Sequence, residues 1–163
     1  HESWGEYPET EERFGSVLGR NQAYIKMTVA KPDKSCFVSF YQHIRRFRIY
    51  GQDGKLKRDV ILDLFPGQEC PEVDDNMRLI HPICVYTTDN YIYTLNLDMT
   101  TEDVENRKTT PNIQVFDWEG KPLIQYKLDC FINTFAVDEV AHKIYGVFVE
   151  DEDHIYVFNL PQL

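Results

Sequence analysis

Apolar residues fall at every second position through much of this chain, the period of a strand buried on one face. Ile113 and Val115 show it, as do Tyr91, Tyr93 and Leu95. Helical spacing is hard to find. Comparing hairpins rather than single strands brings out three copies of one pattern. The first runs through YIKMTVAKPDKSCFVSF and then FRIYGQDGKLKRDVIL. The second runs through HPICVYTTDNYIYTLNL and then IQVFDWEGKPLIQYKL. The third runs through NTFAVDEVAHKIYGVFV and then HIYVFNL. Each copy reads as a meander of strands A, B, C and D. The A–B turns are Lys31-Pro32-Asp33-Lys34, Thr88-Asp89-Asn90 and Asp138 to His142, all rich in residues that hold a turn locally. The C–D turns carry Gly54 and Gly120, where a tight hairpin needs positive φ.

Four-stranded repeats of roughly 45–50 residues are the signature of a β-propeller, whose rings close with about 4–8 blades. The expectation is therefore an all-β chain, a partial β-propeller of four-stranded antiparallel meander blades at 21–64, 79–129 and 133–163. The last blade lacks its fourth strand. Residues 1–20 read as a loop leading into the first strand. An open arc of this kind leaves sheet edges and apolar blade faces to be covered. Either the chain is a fragment of a longer propeller, or a homodimer completes a six-blade ring.

Composition narrows the function classes. The 163 residues suffice for one domain with a real core. A formal charge of −10 argues against nucleic acid and against an anionic membrane surface. No apolar run approaches the roughly 18 residues of a membrane helix. The chain opens on His1 rather than Met, so a processed, truncated or engineered N-terminus is expected. Cys36, Cys70, Cys84 and Cys130 form no C-x-x-C pair, which disfavours zinc. Cys36 and Cys84 lie in apolar strand patterns as buried free thiols, and Cys70, beside Pro71, is the thiol expected to be exposed.

Meander topology alternates its connections between two ends of the strands. The A–B and C–D turns share one end; the B–C loops and D–A connections share the other. The second end receives the long segments 65–79, 98–112 and 150–154, with twelve acidic residues against three basic ones. The acids are Glu69, Glu72, Asp74, Asp75, Asp98, Glu102, Asp103, Glu105, Glu150, Asp151, Glu152 and Asp153. Arg45 and Arg46 sit in the first B–C connection at the same end. Long loops on a rigid scaffold are where binding usually lives. The binding-face candidates are His81, Arg45, Arg46, Asp74, Asp75, Glu102, Asp103 and Glu105. Three readings of this acidic end stay open: solubility, a basic protein or peptide partner, and Ca²⁺ held by Glu150, Asp151 and Asp153 without the order of an EF-hand loop.

Catalytic signatures are weak. The chain has no G-x-S-x-G elbow, no H-E-x-x-H helix and no glycine-rich phosphate loop. Among scattered histidines, His81 stands at the start of a strand A, where it reaches the channel rim or serves as a structural histidine. Trp4 and Trp118 read as caps on blade packing. No catalytic residue and no cofactor is expected.

The motifs W-G-E-Y-P, F-R-I-Y-x-x-D-G-K, V-F-D-W-E-G-K-P-L, F-A-V-D-E-x-x-x-K-I-Y-G and the closing I-Y-V-F-N-L resemble the TolB-like six-bladed β-propeller proteins of Bacteroidetes, over about three blades of the C-terminal half. That resemblance implies a periplasmic, cell-surface or secreted location. It carries no catalytic or binding residues. The reading is a non-catalytic propeller module binding a protein or other ligand through its acidic loop end. The alternatives are a carbohydrate- or ester-directed hydrolase or lyase in the central channel, and an inactive fragment.

Overall fold

The computed structural model describes residues 14–62, 71–74 and 76–160. In chain order the described elements are α1 (Val17–Ala23), β1 (Lys26–Ala30), β2 (Cys36–Tyr41), β3 (Arg46–Gly51), β4 (Leu56–Ile61), β5 (Ile80–Thr87), β6 (Tyr91–Met99), α2 (Thr101–Glu105), β7 (Asn112–Asp117), β8 (Pro122–Lys127), β9 (Thr134–Asp138), β10 (Lys143–Phe148) and β11 (Asp151–Asn159). They form three antiparallel sheets in which each strand pairs with its chain neighbours: β1 to β4, β5 to β8, and β9 to β11. The chain is all-β, a partial propeller of two four-stranded blades and one of three strands.

The two C–D hairpins are built alike because their local chemistry is alike. The Gly54 amide donates to Gly51 O at 2.9 Å, and the Gly120 amide to Asp117 O at 3.0 Å. Both glycines have positive φ, 75° and 84°. A bulge follows each turn, at Ile49/Tyr50 and at Val115/Phe116. An aspartate braces each loop: Asp53 Oδ1 accepts from the Lys55 amide, and Asp117 Oδ1 from the Glu119 and Lys121 amides.

Blades stack through side chains that alternate across each strand. Cys36, Val38, Phe40, Phe47 and Ile49 of the first blade bury against Ile92 and Phe116 of the second. The neighbouring positions Tyr93, Leu95, Ile113 and Val115 point the other way, onto Phe135, Val137 and Ile144 of the third. Strands β6 and β7 are thus covered on both faces. Trp118 packs on the first of these cores and donates Nε1–H to Thr88 O at 3.1 Å, so it serves blade packing. Trp4 lies outside the described residues.

The A–B turns are laced together. Asp89 Oδ1 accepts from the Asp33 amide at 3.1 Å. Glu139 of the third blade accepts from Thr88 Oγ1 at 2.7 Å, Asn90 Nδ2 at 3.0 Å and the Tyr93 hydroxyl at 3.0 Å, all in the second. Burial, and then the Glu139 charge, push the Tyr93 hydroxyl well above a phenol's ordinary value. Glu139→Ala should therefore lower unfolding free energy by about 1–3 kcal/mol. Urea denaturation checks this, and an unchanged midpoint would show that the lacing adds nothing.

Three sequence expectations need correction. Residues 17–20, read as the end of a leading loop, and 21–23, read as the start of the first blade, are helical in α1. Its seven residues include Gly19 and are too short to show a period. They are held by Ser16, whose hydroxyl caps the Gly19 amide, and by Ala23 and Tyr24 packing on Tyr41 and Ile44. The segment 150–154 is not a long loop: β11 begins at Asp151, so the connection from β10 is a tight turn. The segment 98–112 is not all loop either, since Asp98 lies in β6 and Thr100 caps the short helix α2. Among the described residues Cys36, Cys84 and Cys130 are free thiols, Cys36 buried and the others partly so. Cys70 lies outside the described residues.

Candidate functional site

The seam between the first and second blades changes character along its length. At the turn end it is apolar, with Phe40, Phe47, Ile92 and Phe116 in contact. Toward the loop end the same face of β6 and β7 turns polar, through Thr94, Asn96 and Gln114, all buried. Alternation puts Thr94 and Asn96 opposite Tyr93 and Leu95, which an isolated strand would present to water. Here the first blade covers them instead.

At the loop end of this seam three polar side chains meet, two of them an aspartate and an arginine. Asp98 accepts from Arg45 Nη2 through Oδ2 at 2.8 Å, and from His81 Nδ1–H through Oδ1 at 2.8 Å. Only 4% of the His81 side chain and 8% of Arg45's is exposed. Burial alone would raise the Asp98 carboxyl, but the His81 hydrogen bond and the Arg45 guanidinium outweigh it and hold it below the ordinary carboxylate value. Bonds to backbone carbonyls fasten the same corner: the His81 amide donates to Gln42 O at 2.8 Å, and the His43 side chain, through Nδ1–H, to Leu79 O at 2.8 Å. Between these groups lies a void of about 10 Å³, lined by Arg45, His81, Thr94, Asn96, Asp98 and Gln114 among others. It is no larger than one water molecule.

The other candidates divide by their partners. Arg46 lines the void but forms a fork with Asp59, Nε to Oδ1 at 2.6 Å, which Arg48 joins at 3.1 Å. Asp74 braces its own turn through the Asn76 amide. Asp75 lies outside the described residues. Asp103 pairs with Lys108 at 2.9 Å on the α2 loop. Glu150 pairs with Arg107, whose guanidinium also lies over the Phe148 ring and ties that loop to the third blade. Asp151 accepts from His154 Nδ1–H and the Tyr156 hydroxyl, both at 2.6 Å. Glu102, Glu105 and Asp153 are exposed, without an ion pair among the described residues. No group of three or more His, Cys, Asp or Glu able to hold a metal ion occurs among the described residues.

The structure thus brings Arg45 and His81 together and leaves the acidic candidates spread over the rim. Asp98, the residue that joins the two, was legible only as one acid among twelve. It follows Thr94 and Asn96 at every second position of one strand, which was the available sign that it shares their face.

A wider, open groove of about 450 Å³ runs between β4 and β8, lined by Val60, Ile61, Leu62, Pro122, Leu123 and Ile124 among others, with no titratable group on its walls. Among the described residues no helix is long and apolar enough to cross a membrane. No curated protein matches the chain. A solved structure described as "Complex of KlAtg21 with coiled-coil of AgAtg16" aligns over 82% of this chain and 41% of its own, at 12% identity and a TM-score of 0.42. This chain therefore spans less than half the length of that one. Residues 83–140, from within β5 to the turn after β9, match the family model described as TolB-like 6-blade propeller-like, and the three sheets are blades of a partial propeller similar to that family.

Proposed function

We propose that this chain is a non-catalytic β-propeller module that binds a protein or peptide partner bearing basic side chains through its loop end. The observation that carries the reading is the division of charge there. The basic residues of the α2 loop are already engaged, Lys108 by Asp103 and Arg107 by Glu150, while Glu102, Glu105 and Asp153 stay exposed. The rim therefore offers exposed negative charge beside cations, Arg107 and Lys108, that are already paired, which favours and steers a cationic partner. The buried Arg45–Asp98–His81 corner serves as foundation in this reading, since its void admits a water but no substrate.

A hydrolase or lyase is disfavoured at His81 by space, since the void it lines with Tyr41, Thr94 and Asp98 is about 10 Å³, room for one water and no substrate. The reading uses no Ca²⁺, because Glu150 and Asp151 are engaged by Arg107 and by His154 and Tyr156. A periplasmic or cell-surface location suits such a module.

Fluorescence anisotropy with a labelled lysine- and arginine-rich peptide tests the proposal. Binding should weaken with salt, and Glu102→Lys with Glu105→Lys should weaken it by about tenfold, equivalent to ~1.4 kcal/mol. Absence of binding at low salt, or binding indifferent to the double charge reversal, would overturn it.

A further inference from the structure

The seam between the first two blades is packed at β6 and β7 but opens outward, into the groove of about 450 Å³ between β4 and β8. Both of those strands belong to four-stranded blades, so the groove lies within the arc rather than on a terminal sheet. Its turn end is closed, where the hairpin at Gly120 abuts Val60 and Glu119 pairs with Arg58. Its walls are apolar, Leu62 on one side and Pro122 and Leu123 on the other.

One polar side chain interrupts that lining. Gln114 is only 8% exposed and borders both the groove and the small void behind it. Its side-chain amide has no hydrogen-bond partner among the described residues. Polar groups buried to this degree are normally bonded, so this amide points to a ligand. Gln125, exposed on β8, stands beside it in the register. An amide both donates and accepts, as a peptide backbone requires.

The charge of this rim also departs from the rest of the chain, whose formal total is −10. Lys57, Lys121 and Lys127 are exposed there, without an ion pair among the described residues. The acids of the same strands and turn are engaged: Asp59 by Arg46 and Arg48, Glu119 by Arg58, and Asp117 by two amides of its turn. Asp129, just past β8, offsets one lysine and leaves the rim cationic.

We propose that this groove docks an extended segment of a partner protein in which apolar side chains alternate with acidic ones. The apolar side chains enter between Leu62 and Leu123, the backbone bonds the Gln114 amide, and the carboxylates face the lysines. Both walls end in strands, and an extended segment sends alternate side chains to opposite sides, one set inward and one to the rim. The site is separate from the acidic loop end and takes the opposite charge.

Fluorescence anisotropy with a labelled peptide alternating leucine and aspartate tests this on the whole chain. Binding should weaken with salt, and a leucine–serine peptide should bind about tenfold more weakly. Leu123→Asp and Lys127→Glu should each weaken binding by about tenfold. Both residues are exposed in the free chain, Leu123 at 39%, so the circular dichroism spectrum should not change. Gln114→Met should weaken binding similarly while leaving the urea midpoint unchanged or raised, because the amide it removes has no partner in the free chain. Glu102→Lys with Glu105→Lys should not weaken binding, which separates this site from the loop end. Absence of binding at low salt overturns the proposal, as does equal binding of the leucine–serine peptide. Binding unmoved by Leu123→Asp, or weakened by the loop-end reversal, overturns it as well. A lowered midpoint for Gln114→Met with unchanged binding would make that amide structural and overturn its role.

Discussion

Asp98→Asn should destabilise the folded chain by about 3 kcal/mol at neutral pH, because it leaves the Arg45 guanidinium buried without its carboxylate. The substitution isolates charge from backbone. Asp98 has φ of 56°, a left-handed conformation that Asn tolerates nearly as well as Asp. The effect should depend on pH in a defined direction. The Asp98 carboxyl sits below its ordinary value, so the stability from its ion pair with Arg45 is complete above the unfolded carboxylate range, near about pH 4. That stability is lost as pH falls through the lower folded value. The difference between the parent chain and Asp98→Asn should therefore shrink on acidification, as read from urea midpoints across a pH series. A difference that stays constant down to strong acid would show that the carboxylate charge is not what holds this corner. Replacing the partner as well, with Arg45→Met, should recover part of the loss, since removing both charges costs less than stranding one.

Gly120→Ala should cost about 2–4 kcal/mol, from two separable sources. The φ of 84° is a conformation that L side chains rarely adopt. A Cβ built there would also lie 2.5 Å from Val60 Cγ2 of the first blade, well inside van der Waals contact. In a Val60→Ala background the second source disappears, and the same substitution should cost only about 1–2 kcal/mol of backbone strain. A double-mutant cycle by urea denaturation separates the two. Equal costs in both backgrounds would mean that the hairpin does not press on the first blade. Gly120 thus answers to two constraints at once, one local to its turn and one set by the neighbouring sheet.

Local chemistry was well represented in the chain. Gly54 and Gly120 marked tight hairpins because positive φ is a demand made within a few residues, and the turn-forming runs at 31–34 and 88–90 did the same for the A–B connections. Meander order followed from the spacing of those turns. Helix α1 escaped notice because its stability lies in Ala23 and Tyr24 meeting Tyr41 and Ile44, not in any period of its own. The run Glu150-Asp151-Glu152-Asp153 looked like loop because acids disfavour strands, yet pairing with β10 carries β11 back to Asp151.

The candidate site shows where local reading ends. Arg45 and His81 were placed at the correct end of the strands by topology alone. Nothing in their own neighbourhoods names Asp98, which lies 53 residues from Arg45 and 17 from His81. Strand period also placed Thr94 and Asn96 opposite the apolar positions of β6, but whether that second face meets water or another sheet is not a property of the strand. Burial of a face is decided by what packs upon it, and that depends on the angle at which one blade follows the next. The amino-acid order alone determined the strands, their turns and their grouping into blades, since those follow from torsion preferences and two-residue alternation. Only the tertiary structure decided that a polar strand face becomes a buried seam closed by an ion-paired aspartate, because Arg45 of the first blade reaches Asp98 of the second only once the two blades have met.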